Sequence, residues 1–348
     1  MQVSIGIGGA ASGRERDFTK QVEFVVEAEK LGVDMVWTAE AWGQDAIAPL
    51  AFLAARTERI KLGTGIMQIS ARTPSMTAMT ALTMAAISGD RFILGLGASG
   101  PQVVEGLQGR TFRAPLGRMR ETVDIVKLAF AGEKLAYEGV HHQLPLPGGE
   151  GKALRLSQPG NERIPIYLAT LGPKALEYTG QVASGWLGTS FTPEQAHAHL
   201  DYIKKGAANA GRSISDIDIQ AGGFVAFGTV EPHMQDLKQS LAFSLGAMGS
   251  AKTNFYNDAY KRGGYDSIAR EVQALWVSGK RQEAVEKVPD EMVLQTNLLG
   301  DEAAIKQRLL AYRNAGVTTL RLTPAGENLS KRLDTLGRAI ELIKKLDY

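Results

Sequence analysis

Cysteine is missing altogether from the 348 residues. Its absence excludes disulfides, thiolate nucleophiles and Cys-ligated metals, and suits a reducing compartment. An excess of one charge is missing too: 39 basic residues stand against 37 acidic ones, with no long block of either. Nucleic acid and membrane surfaces select for basic patches, so neither is an expected partner. No window approaches the ~20 apolar residues of a membrane span. The start, MQVSIGIGGAASGRERDF, has neither the basic beginning nor the sustained apolar run of a signal peptide. A soluble, cytoplasmic protein is the expectation. Histidine is scarce, 5 in all. His141 and His142 are adjacent and would face opposite sides of a strand, while His197 and His199 stand two apart on a helix and diverge. No metal site is expected, and the histidines are assigned to the surface or to an insertion loop. G-x-S-x-G does not occur, which argues against a serine nucleophile elbow.

What is present is a repeated strand-then-helix rhythm. The strands read as Val3–Gly8, Asp34–Thr38, Ile60–Met67, Arg91–Leu96, Ile164–Ala169, Gly185–Ser190, Ile217–Phe227 and Val317–Leu322. They are short, apolar and β-branched, as parallel strands buried on both faces should be. The helices read as Phe18–Leu31, Ala46–Arg56, Ser75–Ser88, Leu116–Ala131, Pro173–Ala183, Pro193–Ala210 (capped by Thr192), Pro232–Met248 and Leu329–Leu346. Two segments interrupt the rhythm. Leu135–Arg163 is rich in Gly and Pro and reads as a hairpin-containing insertion. Residues 232–315 read as mostly helical, with a polar stretch around Lys252–Gly264. The pattern indicates one α/β domain over residues 1–348. It would be a (β/α)8 TIM barrel with insertions after helix 4 and after strand 7, at about 135–163 and 250–300.

A barrel carries its active site at the C-terminal ends of its strands. The residues there form a glycine-rich, charge-poor set in which Glu40 is the clearest ionisable member. That composition does not suit a hydrolase, which needs paired carboxylates, a metal or a nucleophile–base pair. It suits a large flat cofactor approached closely by backbone. Arg91–Gln102, RFILGLGASGPQ, matches the dinucleotide fingerprint G-x-G-x-x-G. Pro101 follows at once, and the region about 20 residues on lies inside a helix, so the Rossmann reading fails on context.

Two strand ends lead into helices in a way that offers an anion site. Thr189-Ser190 precede a helix opening at Pro193, and Leu171-Gly172-Pro173-Lys174 open another. Hydroxyls, free N–H groups and a lysine at helix N-termini hold phosphate well, although capping alone explains either opening. Trp42 and Trp186 lie near strand ends and are read either as packing or as stacking on a ring system.

At this point the chain resembles the bacterial luciferase-like superfamily and, within it, the coenzyme F420-dependent oxidoreductases. The resemblance is carried by 28–34 (AEKLGVD) with 36–40 (VWTAE) and by 59–66 (RIKLGTGI). Arg72-Thr73-Pro74, Gly89-Asp90-Arg91-Phe92, 94–97 (LGLG) and Gly172-Pro173-Lys174 add to it.

The resemblance implies a deazaflavin site. Gly65-Ile66 would form a non-prolyl cis peptide backing the ring. Gly97 ends the neighbouring strand, and Ala98-Ser99 would line the ring or its ribityl chain. Ala169, Thr170, Leu171, Gly172, Gly185, Trp186, Thr189 and Ser190 would hold the ribityl–phosphate tail, with Lys174 as a counter-charge. Many relatives carry an acidic residue followed by histidine after the second strand, whereas here Glu40 is followed by Ala41 and Trp42. Glu40 becomes the proton-handling candidate, with Trp42 beside it. The implied activity is hydride transfer between F420 and a small organic substrate: a ketone or alcohol, an activated alkene or a C1 carrier. The alternatives are an FMN-dependent monooxygenase, disfavoured by the missing histidine, and a non-catalytic cofactor-binding protein. A homodimer is implied by the same resemblance.

Overall fold

The computed structural model describes residues 1–8, 18–250 and 253–346. Gly9 and Ala10, which follow the first expected strand in the sequence, and Lys252 lie outside them. In chain order the strands are β1 (Gln2–Gly8), β2 (Met35–Ala39), β3 (Lys61–Thr64), β4 (Met67–Gln68), β5 (Phe92–Gly97), β6 (Tyr137–Glu138), β7 (Gln143–Leu144), β8 (Ile166–Ala169), β9 (Gly185–Leu187), β10 (Asp218–Phe227), β11 (Leu298–Gly300) and β12 (Thr319–Pro324). Strand and helix alternate, and the fold class is the (β/α)8 barrel.

The chain forms two compact units. The larger holds Met1–Gly6, the 18–35 stretch and the chain from Thr170 onward. In it β1 pairs in parallel with β12, Gln2 opposite Thr319 through Ile5 opposite Leu322. β12 pairs with β10, and β10 with β9. The second unit is built on Val36–Ala169. There β3 and β8 flank β5, both parallel to it. All six residues of β5 are buried, as a strand covered on both faces requires.

Local chemistry sets the element ends. Thr73 caps helix Pro74–Ser88 by accepting the Met76 N–H at 3.2 Å, and Gly89 at φ 62° ends it in the left-handed region. Arg91 then donates to the carbonyls of Ser88, Ile60, Ala54 and Thr57 and to the Thr57 hydroxyl. That clasp sits at the N-terminal end of β5, the end of a barrel strand that serves stability. The Gly89–Phe92 motif is thereby accounted for by architecture.

Four expectations need correction. The third strand is not continuous: β3 stops at Thr64 and β4 begins at Met67. The strand expected to reach Ser190 ends at Leu187. The helix expected over Pro193–Ala210 is a short turn, Pro193–Gln195, followed by helix His197–Asn209, and the Thr192 side chain makes no capping bond. Within the stretch read as mostly helical, β11 adds a strand along the end of β10, Val225 opposite Leu298. Three apolar residues carry too little periodicity to announce a strand. Around it, Leu241, Leu245, Tyr260, Val272, Val285 and Met292 belong to one buried cluster. The other insertion contains the expected hairpin, with β6 antiparallel to β7. No helix among the described residues is long and apolar enough to cross a membrane.

Candidate active site

In the Val36–Ala169 unit, Glu40 follows β2 and organises the break between β3 and β4. Its carboxylate forms an ion pair with Arg72 at 2.7 Å and accepts the Gln68 backbone N–H at 3.0 Å. The Gln68 amide donates back to the Glu40 carbonyl at 2.7 Å. Gln68 also accepts from the Gln108 amide, extending the chain of contacts to the segment after β5. Two backbone bonds close the break: Gly65 N–H to Thr38 O at 2.7 Å, and Glu40 N–H to Ile66 O at 3.2 Å. The Gly65–Ile66 peptide bond is cis. Glu40 is thus engaged as an acceptor by fixed donors. Trp42 lies beyond it and is half exposed.

The glycines of this unit make room for side chains. A Cβ on Gly63 would lie 2.2 Å from the Trp37 ring, and one on Gly97 would lie 2.3 Å from Ile66 Cδ1. Trp37 is buried, and its ring centroid stands 5.6 Å from that of Tyr167. Gly97 is therefore required by Ile66, and Gly63 by Trp37. Ala98 and Ser99 follow Gly97 at the C-terminal end of β5 and are partly exposed. Ser99 takes φ +58°, uncommon outside glycine and frequent at functional sites. Ala169, at the end of β8, is in register with Gly97.

A cavity of about 520 Å³ opens in the same unit beside Ala98, Val104 and Arg72. Arg110, Arg113, Arg118 and His142 also line it, and no Asp or Glu does. Among the described residues none of those three arginines forms an ion pair with a carboxylate; Arg118 Nε donates to the Arg113 carbonyl at 3.2 Å. Glu121 positions the histidine by accepting the backbone N–H groups of Val140, His141 and His142. Burial alone would raise the Glu121 pKa, but these N–H bonds hold it below its ordinary value. Burial lowers the His142 pKa. The sequence reading singled out none of these three arginines and assigned His142 to the surface or to an insertion loop. Their only signal was three arginines recurring through a loop and into the helix Pro115–Phe130.

In the larger unit Thr170, Leu171 and Gly172 lead into helix Pro173–Val182. Thr170 shares a 2.7 Å hydroxyl–hydroxyl bond with Thr179, and Leu171 O accepts from Arg262. Lys174 is exposed, on the helix's first turn. Gly185 and Trp186 are buried in β9. The Trp186 indole N–H donates to Thr170 O at 2.9 Å, and its ring packs on Phe191 and His199. Gly185 and Trp186, expected beside the ribityl–phosphate tail, both sit in the core, where the Trp186 contacts hold the strand end in place. His199, expected at the surface, is corrected. It is buried, 2% exposed, with neither ring nitrogen hydrogen-bonded, and burial pushes its pKa down to about 3. Thr189 and Ser190 are partly exposed, and Ser190, at φ +50°, hydrogen-bonds Tyr260.

The family model described as luciferase-like monooxygenase matches residues 2–319. A Mycobacterium tuberculosis protein provisionally named a coenzyme F420-dependent oxidoreductase is 41% identical over 317 residues, 86% of this chain and 89% of that protein. The 5,10-methylenetetrahydromethanopterin reductase of Archaeoglobus fulgidus is 27% identical over 329 residues, 94% of this chain and 96% of that one. Among solved structures, the coenzyme F420-dependent tetrahydromethanopterin reductase of Methanopyrus kandleri shares the fold. Its TM-score is 0.78 at 24% identity, covering 97% of each chain.

Proposed function

Since this chain belongs to the luciferase-like monooxygenase family, we propose that it is an oxidoreductase that uses coenzyme F420 to reduce or oxidise a small organic substrate. The name of the Mycobacterium relative favours F420 over FMN. The observation in the molecule that carries the reading is the cavity lined by Arg110, Arg113 and Arg118 with no acidic residue. One FMN phosphate needs a single anion pocket. Three arginines spread along about 520 Å³ suit a longer tail that bears carboxylates beyond the phosphate.

When bound, the deazaflavin supplies a hydride at ring carbon C5. The protein's contribution is orientation and electrostatics. Gly65 and Ile66 would back the ring, with Gly97 leaving the space that Ile66 fills, and Ala98 and Ser99 would meet the ring or the ribityl chain. Taken by itself, the larger unit presents Thr170, Leu171, Gly172, Thr189 and Ser190, whose hydroxyl and backbone donors suit a ribityl–phosphate group, with Lys174 as a screened counter-charge. Glu40 acts by positioning: it holds Gln68 and Arg72, and through them the β3–β4 break. Trp42, half exposed, would orient the substrate. A ketone or alcohol, an activated alkene or a C1 carrier fits this chemistry.

Fluorescence titration of the purified protein with F420 and with FMN tests the reading. Micromolar or tighter F420 binding is expected, with FMN at least ~100-fold weaker. Tight FMN binding without F420 binding would establish the monooxygenase alternative instead. Oxidation of reduced F420 in the presence of a substrate panel separates an enzyme from a cofactor-binding protein.

A further inference from the structure

The larger unit contains a cation that nothing in the cofactor reading uses. On β12, Leu320 and Leu322 are buried, while Arg321 projects between them from the alternate face. Arg321 stands opposite Ser4 of β1 and Gly222 of β10. A Cβ on Gly222 would lie 2.1 Å from the Arg321 carbonyl, so that position of β10 has no room for a side chain beside Arg321. The guanidinium is partly buried, and among the described residues no carboxylate pairs with it. Its recorded acceptor is the Gly188 carbonyl, 3.5 Å away. Five N–H donors on a permanent charge are thus served by one bond at the limit of hydrogen-bonding distance. Burial presses the Arg321 pKa down, with only the Tyr256 and Tyr312 phenols opposing.

A cavity of about 180 Å³ adjoins this group. Its lining includes Arg321, Gly188, Thr189, Ser190, Ser240 and Tyr260, and no Asp or Glu. Asn297 on its wall is already committed, accepting the Phe224 N–H and donating to Val293 O, each at 2.9 Å. Ser190 and Tyr260 hydrogen-bond each other, and the Thr296 hydroxyl donates to Met292 O, which leaves the guanidinium as a donor without an anion. An unpaired charge taken out of water is costly unless a counter-charge meets it. The volume has room for an oxyanionic group beside the guanidinium.

We propose that this cavity is a substrate subsite: Arg321, with the hydroxyls beside it, binds an oxyanionic group, a carboxylate or a phosphate, carried by the molecule that exchanges hydride with the cofactor. The assignment rests on the oxidoreductase reading for the word substrate; the anion site itself does not. Thr189 and Ser190 also serve the ribityl–phosphate part of the cofactor reading, so Arg321 is the group that distinguishes this subsite, and nothing in that reading uses it.

The test uses the full chain, wild type and Arg321→Met, with Arg321→Lys as the variant that keeps a buried cation should the first fail to fold. Thermal unfolding is followed with inorganic phosphate, acetate or chloride at matched ionic strength, and F420 affinity is measured separately by fluorescence. Phosphate or acetate is expected to raise the wild-type melting temperature by at least ~2 °C over chloride by mass action, and to lose that effect in Arg321→Met. Arg321→Lys should retain a weaker effect. A response to phosphate alone assigns a phosphoryl group, and one to acetate alone a carboxylate. F420 affinity should stay within about threefold in both variants. No anion response in the wild type overturns the proposal, as does an undiminished response in the variants. A tenfold loss of F420 affinity, assigning Arg321 to the cofactor, also overturns it. If the wild type binds no F420 yet shows an Arg321-dependent anion response, the oxidoreductase reading fails and the anion site stands.

Discussion

Glu40 and Arg72 form a 2.7 Å ion pair across the break between β3 and β4, and the Gln68 N–H occupies the same carboxylate. A carboxylate fixed this way accepts; it has no evident route to pass a proton to a substrate. Glu40→Gln keeps an acceptor for Gln68 but leaves Arg72 without its charge partner. The expected outcome is a three- to tenfold weaker cofactor affinity, corresponding to roughly 1 kcal/mol, with kcat at saturation and its pH profile unchanged. A fall in kcat of about a hundredfold with loss of one limb of the profile would make Glu40 the proton-handling group.

Gly97 and Ile66 are coupled by space. A methyl at 97 meets Ile66 Cδ1 at 2.3 Å, so Gly97→Ala must displace that side chain. We expect destabilisation of about 1–3 kcal/mol and weakened cofactor binding. Ile66→Ala in the same chain removes the obstacle and should recover part of the stability in a double-mutant cycle. Additive losses in thermal or urea unfolding would show that the contact is not the cause.

The arginine-lined cavity makes a prediction about salt. Arg110 and Arg113 are exposed, so each is worth little alone; removing either should weaken F420 about two- to fivefold. The triple replacement of Arg110, Arg113 and Arg118 by alanine should cost far more and flatten the dependence of affinity on ionic strength. FMN, with one phosphate, should respond less. Equal losses for both ligands would remove the case for a long anionic tail in this cavity.

Much of the fold was legible because it rests on periodicity. Short apolar strands and amphipathic helices announce themselves; the cap read from the sequence, Thr192, makes no capping bond. The failures fell where local signals are weak. β11 is three residues long, and the β3–β4 break sits inside a strand-like run, KLGTGIM, with no Pro or acidic residue to mark it. In the candidate site, strand-end glycines were legible as a group but not in purpose. Gly63 and Gly97 accommodate Trp37 and Ile66, contacts that pattern alone does not reveal. The arginines at 110, 113 and 118 were overlooked because exposed basic residues usually mean a solvated face; only the cavity they share distinguishes them. Trp186 went the other way, a strand-end aromatic that burial commits to the core.

His199 gives a pH test of that core. Burial, with Arg262 and His197 adding to it, lowers its pKa from 6.5 to about 3, so the ring is neutral in the folded protein at neutral pH. In the unfolded chain it takes up a proton below 6.5. The unfolded state therefore binds more protons between those values, and stability falls as pH drops through that window. The His199 contribution is fully present above pH 6.5 and declines toward pH 3, by at most about 1.4 kcal/mol per pH unit. Neither ring nitrogen has a partner, so His199→Phe removes no hydrogen bond and fits the aromatic contacts of Trp186 and Phe191. The variant should unfold at a lower pH than wild type, with a shallower decline in melting temperature between pH 7 and pH 4. Circular dichroism melts across that range check it, and parallel wild-type and variant curves would mean that His199 is protonated in the fold.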